Sequence, residues 1–322
     1  MSSEKNISWF QKLAVTTVLA VLFLIFVGGL VRASGAGLGC PDWPKCWGLW
    51  LPPSGVEAID ASQYDVAQFN ATKMWIEYVN RLIGVAIGFL VLATAIAAGF
   101  LAKQKPWVFT GAFLSLLLVL VQAWLGGEVV KSGLTPGVIT LHMILAVIIL
   151  CLLLTVTYVA NDKALACEVD AGPLFRLRWL VILLFGVSIA QLVLGSQVRE
   201  SLEMMAKVSH PIPREERLEE VGFVDHLHRS LSWLVLILAA ALWWFAGREQ
   251  VENTARLPFW ILLSVVFQVV VGISLAYGGL PPAAQVLHLI GAVVLLSLQY
   301  LFLLQLFLRM RSSQASAILQ PA

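Results

Sequence analysis

The sequence predicts an all-α membrane protein, with eight transmembrane helices forming two pseudo-symmetric four-helix bundles that arose by tandem duplication. Three observations carry this. Of 322 residues, 59% are hydrophobic and 12% charged, with a mean hydropathy of +0.86, a composition whose solvent is lipid. Eight apolar runs are each long enough to cross a bilayer as a helix. Finally, Gln122, Gly126, Gly133, Leu134, Pro136, Leu141 and His142 recur 146 positions later as Gln268, Gly272, Gly279, Leu280, Pro282, Leu287 and His288, a fixed-period self-similarity that marks repeated architecture.

In chain order, the first span covers 13–32 and ends on Gly28-x-x-Val31-Arg32. Its apolar run is too long for a signal peptide and Gly35 to Cys46 does not read as a cleavage site, so the span is retained. A long outer loop, 33–75, separates it from 77–101, which opens on Glu77-Tyr78-Val79-Asn80-Arg81. Spans 107–127 and 139–160 complete the first bundle and hold the first copy of the repeated set. The fifth span, 179–198, ends on Gly195-x-x-Val198-Arg199, which repeats the end of the first at an offset of 167. Span 227–246 follows Asp225-His226-Leu227-His228-Arg229, which repeats 77–81 at an offset of 148, and 257–276 and 286–308 finish the second bundle. The expected domains are therefore 1–165 and 166–322.

An even number of spans puts both termini on one side. Lys103, Lys105, Lys163, Arg176, Arg178, Arg248 and Arg256 lie in the short connections on that side, and Lys5, Lys12, Arg309 and Arg311 in the tails, which assigns it to the cytoplasm. Only twelve residues precede the first span, without an Arg- and Ser-rich presequence, so a bacterial plasma (inner) membrane is expected. The net charge of +2 says little about partners, and no basic cluster with interleaved aromatics points to nucleic acid. The paired glycines 28–29, 126–127 and 278–279 read as helix-packing or turn positions, not as a dinucleotide fingerprint. Tryptophans near span ends, such as Trp47, Trp50, Trp75 and Trp107, read as an interfacial belt.

Of the four cysteines only Cys40 and Cys46 are close in sequence. On the oxidising face such a pair closes a disulfide that staples the loop, or serves as a redox pair; zinc is disfavoured because the loop has no further Cys or His pair. Cys151, in the fourth span, and Cys167, in a cytoplasmic loop, are expected to be inert or reduced.

An ionisable residue in a span is a functional-site candidate by default. His142, His228 and His288 all fall near the outer ends of spans, at similar depth. Two imidazoles on facing helices of a bundle clamp a haem iron from opposite sides, and His228 with His288 supplies such a pair; the alternative for any one alone is a helix–helix hydrogen bond. His226, two residues from His228, points to the opposite face, and His210 sits in a charged, proline-flanked loop and is expected to be solvated. In the first half His142 faces Asn80, an amide, so an iron there is one protein ligand short, which suits a substrate better than a fixed cofactor. Glu77, one turn before Asn80, shares its face and either moves protons or stabilises a developing cation, or forms a salt bridge to Arg32 or Arg81. Arg32, Arg81, Arg199 and Arg229 recur as two pairs, either to bind haem propionates or to anchor helix ends at the interface.

These residues resemble a known family. The stretch Gly28-Gly29-Leu30-Val31-Arg32-Ala33-Ser34-Gly35-Ala36-Gly37-Leu38-Gly39-Cys40-Pro41-Asp42-Trp43-Pro44-Lys45-Cys46, with Glu77-Tyr78-x-x-Arg81, Thr140-Leu141-His142, Asp225-x-x-His228-Arg229 and Leu287-His288, is similar to haem A synthase over nearly the whole chain. The resemblance implies a haem b cofactor on His228 and His288, with Arg199 and Arg229 beside it. It implies haem O as substrate in the first bundle at His142, Asn80, Arg32 and Arg81. The implied reaction oxidises the C8 methyl of haem O to a formyl by successive hydroxylations and loss of water, with Glu77 as the catalytic acid residue, and gives haem A for terminal oxidases. Cys40 and Cys46 match the family's outer-loop cysteine pair. The implied partners are haem O handed over by a haem O synthase, membrane lipid and an electron acceptor the residues do not identify; a homo-oligomer is compatible with it. Asn80 departs from the family, whose familiar members carry a fourth His there. The alternative reading is a b-type cytochrome, or a haem-binding assembly factor, that passes electrons without oxidising a substrate; Glu77 and the unlike halves favour the enzyme. A transporter ranks third, because repeats with an even number of spans are parallel and no helix is interrupted at mid-membrane.

Overall fold

The computed structural model describes residues 2–161, 171–207, 217–248 and 256–319. Lys163, Cys167, His210 and the acidic and basic residues at 214–216 lie outside the described residues. Among those described, regular structure is helical, with one isolated bridge between Cys46 and Leu49. The helices are α1 (Ser2–Ala33), α2 (Ala71–Gly99), α3 (Pro106–Lys131), α4 (Pro136–Val159), α5 (Ala171–Lys207), the short α6 (Arg217–Val221), α7 (Phe223–Arg248), α8 (Arg256–Tyr277) and α9 (Pro282–Leu319). All except α6 are long and apolar enough to cross a membrane, giving the eight expected spans of a multi-pass membrane protein.

Several helices run past the expected apolar stretches, and for the start of α2 and the end of α5 polar bonds account for it. α2 starts at Ala71 because Asn70 caps it, its side chain accepting from Lys73 N at 3.0 Å, and a satisfied first-turn donor stabilises a helix start. α5 continues to Lys207 through polar residues joined one turn apart: Ser196 Oγ donates to Glu200 at 3.1 Å and Arg199 pairs with Glu203 at 2.7 Å, contacts that favour helix beyond the apolar stretch.

The chain divides into two compact units at 157/158. In the first, α2 packs on α1 and α3, and the hydroxyls of Thr17 and Thr94 meet at 2.7 Å in the α1–α2 seam. α4 is tied in by Gln122 of α3 and by Arg32, whose Nη1 lies 3.9 Å from Met143 Sδ. In the second, α5, α7, α8 and α9 close around an apolar core that includes Leu184, Leu242, Ile261, Phe302 and Leu306. Within it Gln299 donates to Ser188 at 3.0 Å, as a polar group in an apolar span must find a partner on a neighbouring helix. Large apolar side chains such as Phe89, Leu120 and Ile237 face outward, where lipid receives them.

The repeat reappears in backbone geometry. α3 passes to α4 through Gly133 and Leu134, both left-handed at φ 65° and 64°, and α8 passes to α9 through Gly279 and Leu280 at φ 67° and 57°. Glycine takes this conformation freely after a helix end; a leucine there costs about 1 kcal/mol. Contacts offset that cost, since Leu280 is buried and Leu134 packs against Gly37. Pro136 and Pro282 then start the next helices, at the position where a missing N–H costs nothing.

Candidate functional site

In the second unit α7 carries His228 and α9 carries His288. Their ring centroids stand 6.3 Å apart with the planes turned 77° to each other. An iron between two opposed imidazoles sets ring centres roughly 6 Å apart, from about 2 Å per metal–nitrogen bond plus the ring radii, so the pair fits the group expected there. Each ring also backs onto a glycine: a Cβ on Gly195 of α5 would stand 3.0 Å from His228 Cε1, and one on Gly272 of α8 would stand 3.6 Å from His288 Cε1. The carbonyls of both histidines are held by glutamines. Gln191 Nε2 donates to His228 O at 2.7 Å. Gln268, with its amide oriented to satisfy both ends, lies 3.0 Å from His288 O and 2.9 Å from its Nδ1, while its Oε1 accepts from Ala292 N at 3.1 Å. His226 is exposed, and His228 is half-buried with a buried, unpartnered Nδ1.

In the first unit His142 of α4 has the same surroundings. Gln122 Nε2 donates to its carbonyl at 3.0 Å, and a Cβ on Gly126 would stand 3.4 Å from its Cε1. Asn80 of α2 takes the position that corresponds to His228, and its Oδ1 is buried without a partner. A Cβ on Gly28, which corresponds to Gly195, would meet open space.

The outer loop of the first unit is built around its cysteines and Glu77. Cys40 and Cys46 form a disulfide, so the stapled reading describes the structure. Trp47 at φ 56° and Gly48 at φ 79° make the tight turn that brings Cys46 N to within 2.8 Å of Leu49 O; both positive φ values are what a type I′ turn requires. Asp42 fixes the turn by accepting from Trp47 N at 2.6 Å and Gly48 N at 2.9 Å, and from Tyr64 OH at 3.3 Å. Burial, and after it the Asp42 charge, push the Tyr64 phenol up. Glu77 is buried; its Oε2 accepts from Cys40 N at 2.8 Å and its Oε1 pairs with Arg81. Arg81 also donates to Asp42 O and Lys45 O, each at 2.8 Å, and to Cys40 O at 3.1 Å. The fork geometry of a guanidinium suits such multiple acceptance. Trp43 packs on Gly127 of α3, with Lys131 Nζ 5.9 Å from its ring centre.

The structure thus brings Glu77, Arg81 and the disulfide into one hydrogen-bonded cluster, with the Glu77–Arg81 ion pair formed. The second unit repeats that pair as Asp225–Arg229 at 2.7 Å, without a stapled loop. Arg199 pairs with Glu203 and with Gln285 of α9, whose Nε2 donates to Leu280 O at 2.7 Å.

Sequence reasoning treated Gly126 as a packing position and gave the glutamines no role beyond the repeat. A signal was present: Gln122, Gln191 and Gln268 each precede by four residues the glycine that backs a histidine, and residues four apart share a helix face.

Residues 11–300 match the family model described as Cytochrome oxidase assembly protein (COX15-CtaA). Among curated relatives, the protein named heme A synthase of Geobacillus thermodenitrificans is 27% identical over 97% of this chain and 96% of its own length. Those of the same name from Shewanella oneidensis and Wolbachia pipientis wMel are 26% and 25% identical, covering 97% and 93% of this chain and 100% and 95% of their own lengths.

Proposed function

Because the chain belongs to the COX15-CtaA family of cytochrome oxidase assembly proteins, we propose that it oxidises the C8 methyl of haem O to a formyl, yielding haem A for terminal oxidases. It is a membrane oxidoreductase with a role in haem A biosynthesis, as its relatives' names indicate. The observation that carries the finer reading is the unlikeness of its two histidine sites: paired imidazoles 6.3 Å apart in the second unit, a single imidazole with an amide in the matching place in the first.

In this reading His228 and His288 hold a resident haem b, which when bound supplies one-electron chemistry, and Arg199 and Arg229 meet its propionates. Haem O occupies the first unit with His142 as its protein ligand and Asn80 on the opposing side, where an open coordination position remains for the oxidant. Arg32 and Arg81 are assigned to its propionates, with Arg81 also bonded to Glu77 and to the loop carbonyls of Cys40, Asp42 and Lys45. Converting the methyl to a formyl is a four-electron oxidation that adds one oxygen atom, so its electrons pass to an oxidant or acceptor outside the chain, and Glu77 is the carboxylate assigned to take protons or to stabilise positive charge as it develops. The site lies at the outer face of a bacterial plasma membrane, with both termini in the cytoplasm.

Expression with a haem O supply, followed by chromatography of extracted haems, tests the reading. Haem A or its hydroxylated intermediate is expected. Haem O unchanged beside an intact b-type spectrum would make the protein an electron carrier instead.

A further inference from the structure

The three histidines share more than their places in the repeat. Each has its carbonyl bonded by a glutamine from a neighbouring helix, at 3.0, 2.7 and 3.0 Å for His142, His228 and His288, and each ring lies against the glycine four residues beyond that glutamine. The spacing puts amide and glycine on one helix face, one turn apart. The amide pins the turn that bears the histidine; the missing Cβ lets the ring lie close to the neighbouring helix, where an alanine methyl would press on it.

The fourth copy of this arrangement is broken in both of its parts. The position of α1 corresponding to Gln191 at the offset of 167 is Leu24, followed four residues later by Gly28, and the partner position on α2 is Asn80. Where the imidazole is absent the amide is absent too. A glutamine serving only to join helices would be useful in all four places, since a polar side chain inside a span is costly without a specific partner. Its loss together with the histidine ties its role to the ring.

We propose that Gln122, Gln191 and Gln268 are positioning residues: each amide, with the glycine one turn beyond it, fixes the height and rotation at which one imidazole meets iron. The inference rests on the reading of His228 and His288 as haem ligands. Groups that orient a ligating histidine commonly change metal affinity by about 10- to 100-fold when removed, and the 77° between the two rings is the quantity they would hold.

The test uses the full-length holoprotein in detergent. Gln191→Met keeps the side-chain volume and removes the donor; Gly195→Ala pushes on the same ring from the helix behind it. Ferric low-spin EPR reports the angle between the two axial imidazole planes, and transfer of haem to apomyoglobin reports retention. Both variants are expected to shift the low-spin signal and to speed haem loss roughly tenfold, whereas Gln122→Met leaves the second unit's signal in place. An unchanged signal and unchanged retention in both Gln191→Met and Gly195→Ala overturns the inference, as does an equal shift from Gln122→Met, which would mean the effect is not local. His228→Ala separates this from the reading beneath it. If that variant keeps the bis-imidazole signal, the ligand assignment itself is wrong, whatever the glutamine variants do.

Discussion

The two units have the same turn, the same proline start and the same glutamine-bonded histidine on their last transmembrane helices, yet diverge at the facing site. The second has His228 opposite His288, with Gln191 and Gly195 behind it. The first has Asn80, with Leu24 in the glutamine position. The first has a disulfide-stapled loop bonded to a buried carboxylate, while the second has the matching ion pair, Asp225–Arg229, and no cysteine pair in sequence. In the proposed function, these differences suit the second slot to holding a group and the first to releasing one.

The largest expected break in that comparison comes from the ligands. His288→Ala is expected to abolish the b-type spectrum of the purified protein, while His142→Ala leaves that spectrum and abolishes haem A formation. Optical spectra and extracted haems, measured on both variants, check this. Equal loss of the b-type spectrum from both would mean that the two slots bind alike.

Next in size is the carboxylate. Glu77→Gln removes the group proposed to transfer protons, so haem A formation should fall about 100-fold or more with the b-type spectrum retained. Asp225→Asn, the same change at the matching position, should leave turnover within a few-fold. Turnover surviving in Glu77→Gln would reduce the carboxylate to a structural anchor for Cys40 N.

The ion pairs differ in burial, and that sets a third expectation. Arg81 is 14% exposed and its partner Glu77 4%, against 40% for Arg229 and 7% for Asp225. Arg81→Ala strands a buried carboxylate and frees three loop carbonyls, a loss of about 3 kcal/mol. It is expected as rapid proteolysis within 40–47 and a lowered thermal midpoint. Arg229→Ala also strands a buried carboxylate, Asp225, but frees no loop carbonyl, so its cost should be the smaller of the two and no proteolysis of an outer loop is expected from it. Equal sensitivity would show that Arg81 does not hold the loop.

Much of this was legible in the sequence, for identifiable reasons. Apolar runs of membrane-spanning length leave little choice but helix, and the offsets of 146, 148 and 167 pick out the histidines, the matching 77–81 and 225–229 segments and the odd Asn80; that Glu77 pairs with Arg81 and not Arg32, and Asp225 with Arg229, they do not say. Less legible was what depends on three-dimensional approach. Arg81 reaches Asp42 and Lys45 across nearly forty residues of sequence, a contact no periodicity announces. The start of α2 was set by an asparagine cap in a polar stretch, and the extension of α5 by Arg199–Glu203, both outside the hydropathy signal. Gly126 reads as a helix-packing residue because sequence shows that a glycine admits something close, not what it admits.

The smallest expected effect, and the most direct probe of the asymmetry, is to repair the broken copy. Asn80→His places a second imidazole opposite His142, and Leu24→Gln restores the amide that accompanies the other three histidines. If the first unit works by leaving a coordination position open, the single variant should slow haem A formation a few-fold and raise the haem O retained on purification. The double variant should go further in both and add a second bis-imidazole low-spin signal, because the new ring is then held as His228 is. Measurements on the second unit, its b-type spectrum included, should not move in either. If Asn80→His leaves spectra and turnover unchanged, the amide at that position is a neutral replacement, and the first unit's function must rest on Glu77 and its loop alone.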